Sequence, residues 1–410
     1  MKKSFLLGMM LLALLVLAGC TKLPYPEDDA YHAQWDYPYM YAGQGLETAW
    51  TKQGHYFLFN NFIYFMKNNS TKPQLIDTRT EQKCTESPNR SNCKAYVQRT
   101  HTAVKRGNIT FEPPRFLQYY DSQLYVLENE HNPEKENEQS YLTWTLTSMN
   151  VDGSNREVVK TFEAPPDSLA LHRGYLYYSI WEKNKEGSEQ VKVLKAKLTA
   201  LDKKPEVIYS ETDNIVSVTT ITPYGNQLYW TMLTKDNYKI QRYDLNNEEI
   251  KTLFDRKDGS INFLLSISEN RLYFSYLYRK MEDKRSHKLY SSDLQGNNIV
   301  EEKIEYPPVF SFMYKDKSYS YIHPSGGYVR SYKLDVPLTL AIFKQNKKIH
   351  EVDMSSLPLD PELVAGDERY MFMRINKGTS SSLLYLDKSQ IESGQAAFKP
   401  LLGVDPSLVK

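Results

Sequence analysis

The residues best placed to do chemistry in this sequence are its three cysteines, Cys20, Cys84 and Cys93. Cys84 and Cys93 lie nine positions apart in a polar stretch, CTESPNRSNC, where Pro88 and Asn89 suit a chain reversal. Outside the cytoplasm an isolated pair oxidises, so we expect a small-loop disulfide, worth ~2–3 kcal/mol on loop-entropy grounds. A metal site is the weaker reading, because two thiols without a nearby histidine pair do not complete a ligand set. The eight histidines are scattered, and no two stand at i, i+4. No GxSxG, HExxH or phosphate-cradling glycine loop is present. No catalytic residue, metal or cofactor is therefore expected. His350-Glu351-Val352-Asp353 reads as a surface strand, with His350 and Val352 on one face and the acids on the other. Asp152, Asp244 and Asp293 each precede Asn- and Gly-rich turns and are expected to form them.

Cys20 stands in a different context. Lys2 and Lys3 open the chain, residues 4–18 carry no charge, and Leu17-Ala18-Gly19-Cys20 follows. The apolar run is short of the roughly 20 residues that span a bilayer and has the length of a signal-peptide core. LAGC resembles the bacterial lipobox at every position. That resemblance implies a lipid thioether on Cys20 and cleavage before it, making 1–19 a signal peptide. More than one acyl chain anchors a protein stably. Thr21, not Asp, follows the cysteine. Outer-membrane sorting would thus be permitted in a two-membrane cell. The outer face of a Gram-positive cell membrane is the first expectation.

The net charge of +1 supplies no basic field for nucleic acid. The outlier is tyrosine, 32 residues against 16 phenylalanines, an enrichment that favours strands. These tyrosines recur in short strands: Ile63-Tyr64-Phe65, Leu124-Tyr125-Val126, Leu176-Tyr177-Tyr178, Leu228-Tyr229-Trp230 and Leu272-Tyr273-Phe274. Weaker copies surround Tyr319 and Tyr370. Proline pairs at 113–114, 165–166 and 307–308 each end eleven residues before a repeat tyrosine, and Pro358 lies twelve before Tyr370. Proline belongs at a strand's start, where no ladder N–H is needed. Each unit thus reads as a proline corner, a short strand, a tight turn and the tyrosine strand. A third strand and a fourth follow, joined by turns such as MNVDGSN at 149–155.

Four short antiparallel strands repeated seven times describe an all-β, seven-bladed propeller over 54–403, with eight blades possible because 337–354 could hold extra strands. Residues 20–53 would be a lipidated, aromatic-rich tether and 404–410 a tail. Six aromatics within 24–41, PYPEDDAYHAQWDYPYMY, are expected to dock that tether on the ring's outside, a partner-binding arm being the alternative.

At Leu228-Tyr229-Trp230-Thr231-Met232 the chain resembles the YWTD class of propellers, with Met232 where that repeat has Asp. Over 54–403 the pattern is similar to the TolB-like propellers of bacterial surface lipoproteins, many without an assigned function. This resemblance implies that the first repeat carries the cysteine pair after a strand like Leu75-Ile76-Asp77.

The residue ten before each repeat tyrosine should begin an innermost strand and face the channel. Among these, Arg115, Asp167 and Asp360 would set one positive and two negative groups around one mouth, either as a ligand site or as staples between blades. Charged loops at 130–139, 182–190 and 279–288 gather on one face, where a rigid ring carries binding. The expectation is a membrane-anchored, non-catalytic binding or scaffold module with a protein or envelope-glycan partner. An envelope enzyme acting on glycans or peptides, or an envelope assembly factor, are the alternatives.

Overall fold

The computed structural model describes residues 25–403 apart from short internal stretches, of which 85–91, 133–141 and 279–286 are the longest. Residues 1–24 and 404–410, and with them Cys20, lie outside the described residues.

Seven antiparallel sheets form the ring, each from consecutive strands paired in chain order. Blade 1 comprises Thr48–Trp50, Gly54–Phe59, Phe62–Lys67 and Gln74–Leu75. The first strands of blades 2 to 7 are Leu117–Tyr120, Pro166–His172, Ile215–Tyr224, Gly259–Ile261 with Ser266–Ser268, Ser311–Lys315 and Glu362–Gly366. Their second strands are Gln123–His131, Tyr175–Lys183, Gln227–Thr234, Arg271–Tyr278, Ser320–Pro324 and Tyr370–Lys377. Thr339–Lys344 and Lys347–Asp353 complete blade 6, so the stretch at 337–354 adds no eighth blade. The first strands of blades 1 and 2, of 2 and 3, and of 3 and 4 adjoin towards the centre.

The repeat reports this packing. In the second strands of blades 2 to 4 the leucine and the tyrosine point to opposite faces, yet both are buried. Leu124, Leu176 and Leu228 are fully covered, as are Tyr177 and Tyr229. A blade is sandwiched between two others, so neither face can be polar and the alternation becomes a continuous apolar run, the pattern of sheets covered on both sides.

Two readings are corrected. Tyr125, Tyr177, Tyr229, Tyr273 and Tyr370 lie in second strands, and Tyr319 immediately precedes one. Tyr64 instead lies in the third strand of blade 1, and Gly54 opens the second strand, not the innermost one. The innermost strand of this blade is Thr48–Trp50, ahead of residue 54. The cause is local mimicry. The Asn60-Asn61 reversal between Phe59 and Phe62 has two left-handed residues, the geometry that joins first and second strands in blade 2 at Asp121-Ser122.

Blades 1 and 7 each hold four strands consecutive in the chain, so among the described residues no strand crosses the seam. Side chains close it instead. Phe57 meets Phe372 edge-on at 4.8 Å, and His55 meets Tyr370 at 5.2 Å.

Candidate functional site: a channel closed from one side

In antiparallel blades the first-to-second and third-to-fourth turns share one face of the ring. The hydrogen bonds from Leu198 N to Gly174 O and from Leu245 N to Asn226 O join such turns in blades 3 and 4. We term this the hairpin face. The second-to-third loops lie on the opposite, loop face.

Residues 31–41 lie across the channel at the hairpin face, correcting the expectation of a segment docked on the ring's outside. The carbonyl of Gln34 accepts from Asp121 N, that of Trp35 from Arg173 N, that of Tyr39 from Ile267 N and that of Tyr41 from the Tyr314 hydroxyl. Those donors belong to blades 2, 3, 5 and 6. The Tyr39 ring meets Tyr224 of blade 4 edge-on at 4.8 Å, Tyr31 stacks on Trp50 of blade 1, and Lys388 Nζ of blade 7 lies 5.1 Å from the Tyr41 ring centre. The segment thus reaches every blade. Tyr37, Tyr39, Met40 and Tyr41 are buried and join the apolar core of blades 2 to 5. A channel mouth suits this segment because turn N–H groups there need acceptors while the converging blades offer apolar walls. The outer strands offer neither together.

A buried polar cluster fixes the plug. Asp36 is 3% exposed, and its Oδ1 accepts from Arg173 Nε at 2.8 Å while Oδ2 accepts from His32 N. His172, 1% exposed, accepts the Tyr37 N–H at Nδ1 (3.2 Å) and donates from Nε2 to Gly225 O (3.0 Å). Both ring nitrogens are therefore matched to the neutral imidazole, and a proton on Nδ1 would face another donor. Burial, outweighing the nearby Asp36 carboxylate, pushes the His172 pKa down to about 4.

Of the proposed channel residues, Arg115 precedes the first strand of blade 2, and its Nη1 lies 3.5 Å from Glu47 Oε1. Glu47, itself buried, also pairs with Arg374 of blade 7. Burial lowers the Arg374 pKa to about 10. Asp167 lies within the first strand of blade 3, 2% exposed, and its Oδ2 accepts from Ser217 Oγ of blade 4 at 3.2 Å. Asp360 lies outside the described residues. Each of the two described residues is thus engaged by a neighbouring element.

Sequence reasoning missed a second charged chain. Asp316 and Asp367 open four-residue turns, D-K-S-Y and D-E-R-Y, in blades 6 and 7. Asp316 Oδ1 accepts from Ser318 N and Tyr319 N, both at 2.8 Å, and Asp367 Oδ1 accepts from Arg369 N and Tyr370 N, both at 2.7 Å. The other carboxylate oxygen crosses to a neighbour. Asp316 Oδ2 lies 2.5 Å from Lys388 Nζ of blade 7, and Asp367 Oδ2 lies 2.5 Å from His55 Nδ1 of blade 1. Burial would raise the Asp367 pKa, but the His55 hydrogen bond, the His55 and Lys388 charges and the Tyr370 N–H lower it on balance. The signal was available: an aspartate stands three residues before both Tyr319 and Tyr370.

Beside the plug, a groove of about 650 Å³ opens between Tyr31, Tyr39, Tyr224, Tyr319, Lys317 and Lys344. Its lysines are matched by acids, Lys317 with Glu368 and Lys344 with Glu392. Cys84 and Cys93 are disulfide-bonded, with Cα atoms 5.3 Å apart, in the connection after the fourth strand of blade 1. Among the described residues, Asp77 with these two cysteines is the one trio of metal-ligating types brought together. The disulfide takes both sulfurs, and Asp77 Oδ2 accepts from Lys94 N at 2.6 Å. Asp152, Asp244 and Asp293 accept turn N–H groups from Ser154, Asn246 and Asn297. His350 sits in the outer strand of blade 6 and bonds Ala396 O. Of the charged loops, much of 130–139 and 279–288 lies outside the described residues. The tip of 182–190 is an Asn184-capped turn, with Oδ1 accepting from Glu186 N and Ser188 N.

No family profile matches the chain, and no match to a curated protein is found. Solved structures do match. A prolyl endopeptidase is 13% identical with a TM-score of 0.50, over 90% of this chain and 49% of that one, so the chain spans about half its length. An oligogalacturonate lyase in complex with manganese is 11% identical with a TM-score of 0.50, over 86% of this chain and 89% of the other. TolB from Acinetobacter baumannii is 13% identical with a TM-score of 0.41, over 84% and 76%. The likeness to the first two is one of fold, and the chain is accordingly a seven-bladed β-propeller whose channel is closed at the hairpin face by its own N-terminal segment.

Proposed function

We propose that this chain is an exported lipoprotein, anchored through Cys20 on the outer face of a cell membrane, that works as a non-catalytic binding or scaffold module for a protein or glycan of the envelope. The basic start, apolar run and LAGC of the sequence support the anchor. One structural observation carries the binding reading. The plug occupies the hairpin mouth, and the channel's described charges, Arg115 and Asp167, are engaged by Glu47 and Ser217. They act as staples between blades, which leaves the loop face to meet a partner.

The test is recovery of partners from native membranes with the intact lipoprotein. Arg115→Ala with Asp167→Ala should lower the melting temperature and leave recovery unchanged. Replacing 184–188 by a short glycine turn should reduce recovery at unchanged stability. Loss of recovery in the double variant alone, at an unchanged melting temperature, would return the site to the channel. Cys20→Ser should abolish lipid labelling, and a wild-type chain that takes up no label refutes the anchor.

A further inference from the structure

The described residues leave seven large apolar side chains exposed, and six lie along one edge. Val151, Val158, Val207, Ile250, Ile299 and Val300 stand in, or directly after, the third-to-fourth turns of blades 2 to 5; Tyr332 is the exception. Those turns belong to the hairpin face, so the six form an arc on its outer rim. Scattered exposed valines are ordinary; their confinement to one rim of four consecutive blades is not.

The plug says what covers that rim. Its described part begins at Tyr25, whose ring packs on Gly174, the first-to-second turn of blade 3. A Cβ built on that glycine, where φ is +80°, would lie 3.0 Å from Tyr25 Cε1. Five Cα–Cα steps separate Tyr25 from Cys20, a reach of at most about 19 Å. A lipid on Cys20 would therefore sit within about 19 Å of Tyr25, beside the blade 3 turn and within reach of the arc. The loop face cannot approach the same surface, because the second strand of blade 3, Tyr175–Lys183, carries the chain roughly 30 Å away from the turn.

We infer that the hairpin-face rim of blades 2 to 5 rests on the membrane surface, with the valines and isoleucines in contact with lipid, so that the loop face is presented outward. This rests on the lipid anchor proposed above. The acyl chains supply the affinity, and the rim sets the orientation. Arg156, Lys203, Lys204 and Lys251 along the arc are outnumbered by Asp152, Glu157, Asp202, Glu206, Glu248, Glu249 and Glu301, so no basic field draws the rim to lipid; the contact is apolar and should persist at high salt.

The experiment uses the full-length acylated protein purified from membranes. With Cys84 and Cys93 bonded, a cysteine introduced at Lys203, Lys251 or Glu186 accepts a fluorophore. In vesicles of neutral phospholipid carrying a headgroup nitroxide, the labels at 203 and 251 should be quenched and the label at 186 left bright, at low and high salt alike. The triple variant V158D/V207D/I250D should stay on the vesicles and lose the quenching at 203. Quenching at 186 equal to that at 203 overturns the orientation while the anchor stands, as does a triple variant quenched like the parent. A chain that bears no lipid and stays off the vesicles overturns the anchor, and this inference with it.

Discussion

Blades 2 to 5 and blades 6, 7 and 1 solve the same packing problem differently. In blades 2 to 5 the first-to-second turns are two residues long, as at Asp121-Ser122, Arg173-Gly174 and Glu269-Asn270, all in the left-handed region. One apolar core runs through these four blades and takes in the plug's tyrosines. In blades 6, 7 and 1 the turns are four residues long, Asp316–Tyr319, Asp367–Tyr370 and Thr51–Gly54, and a side-chain oxygen caps each of them. There the apolar core breaks into separate clusters. Buried charged pairs link blades there: Asp316 with Lys388, Asp367 with His55, and Glu47, just ahead of blade 1, with Arg374. The polar half contains the seam where blade 1 meets blade 7. Apolar faces hold blades together without fixing how far one slides along the next. A carboxylate that caps a turn with one oxygen and meets the neighbouring blade with the other fixes that offset. Its desolvation is costly, so losing one partner costs more than the pair contributes.

The strongest way to break the contrast is Asp367→Ala. It removes the turn cap and leaves His55 without its carboxylate, and should destabilise by about 3–5 kcal/mol in denaturant unfolding. Hydrogen exchange should quicken in Gly54–Phe59 and Tyr370–Lys377 before blades 2 to 5. A loss under about 1 kcal/mol, or uniform exchange, would remove the seam's special standing.

The plug answers to pH. His172 is held neutral in the fold with a pKa of about 4, while the unfolded residue titrates near 6.5. Between those values the unfolded chain binds a proton that the native chain refuses. Stability is therefore complete above about pH 6.5 and falls as pH drops towards 4, by roughly 3 kcal/mol. His172→Gln should flatten that slope. An unchanged slope would assign it to other groups. Asp367, with its lowered pKa, loses its contribution only below the ordinary carboxylate range, so the two windows separate.

The disulfide sharpens the comparison on the seam side, since Cys84 and Cys93 belong to the same cluster as Phe57 and Phe372. Cys84→Ala with Cys93→Ala should cost ~2–3 kcal/mol. The smallest effect belongs to the apolar half. Asp293→Ala removes a turn acceptor on the surface of blade 5 and should cost about 1 kcal/mol or less by thermal unfolding.

Much of the ring was legible in the sequence. Burial of a blade between its neighbours favours the Leu-Tyr runs of blades 2 to 5, and with the weaker tyrosine copies their spacing gives seven units. The turn acids at 152, 244 and 293 followed from local chemistry alone. Register failed at Tyr64, because PheIle-Tyr-Phe after Asn60-Asn61 has the turn and aromatics of a second strand. What distinguishes it is the pairing of Thr48–Trp50 with Gly54–Phe59, a contact the pattern does not mark. The Asp-x-x-Tyr spacing was equally visible, but not that its free oxygens reach the next blade.

The sequence by itself determined the all-β repeat, the recurrence of its tyrosine strands, the cysteine pair open to a disulfide and the aromatic character of residues 24–41, since each depends on neighbours within one repeat or on composition. The tertiary structure decided where that aromatic segment lies, which charges meet across blades and which face of the ring is closed. Those depend on closing the ring, which brings residues as distant as Asp36 and Arg173, or His55 and Asp367, into hydrogen-bonding range, and no local pattern records such an encounter.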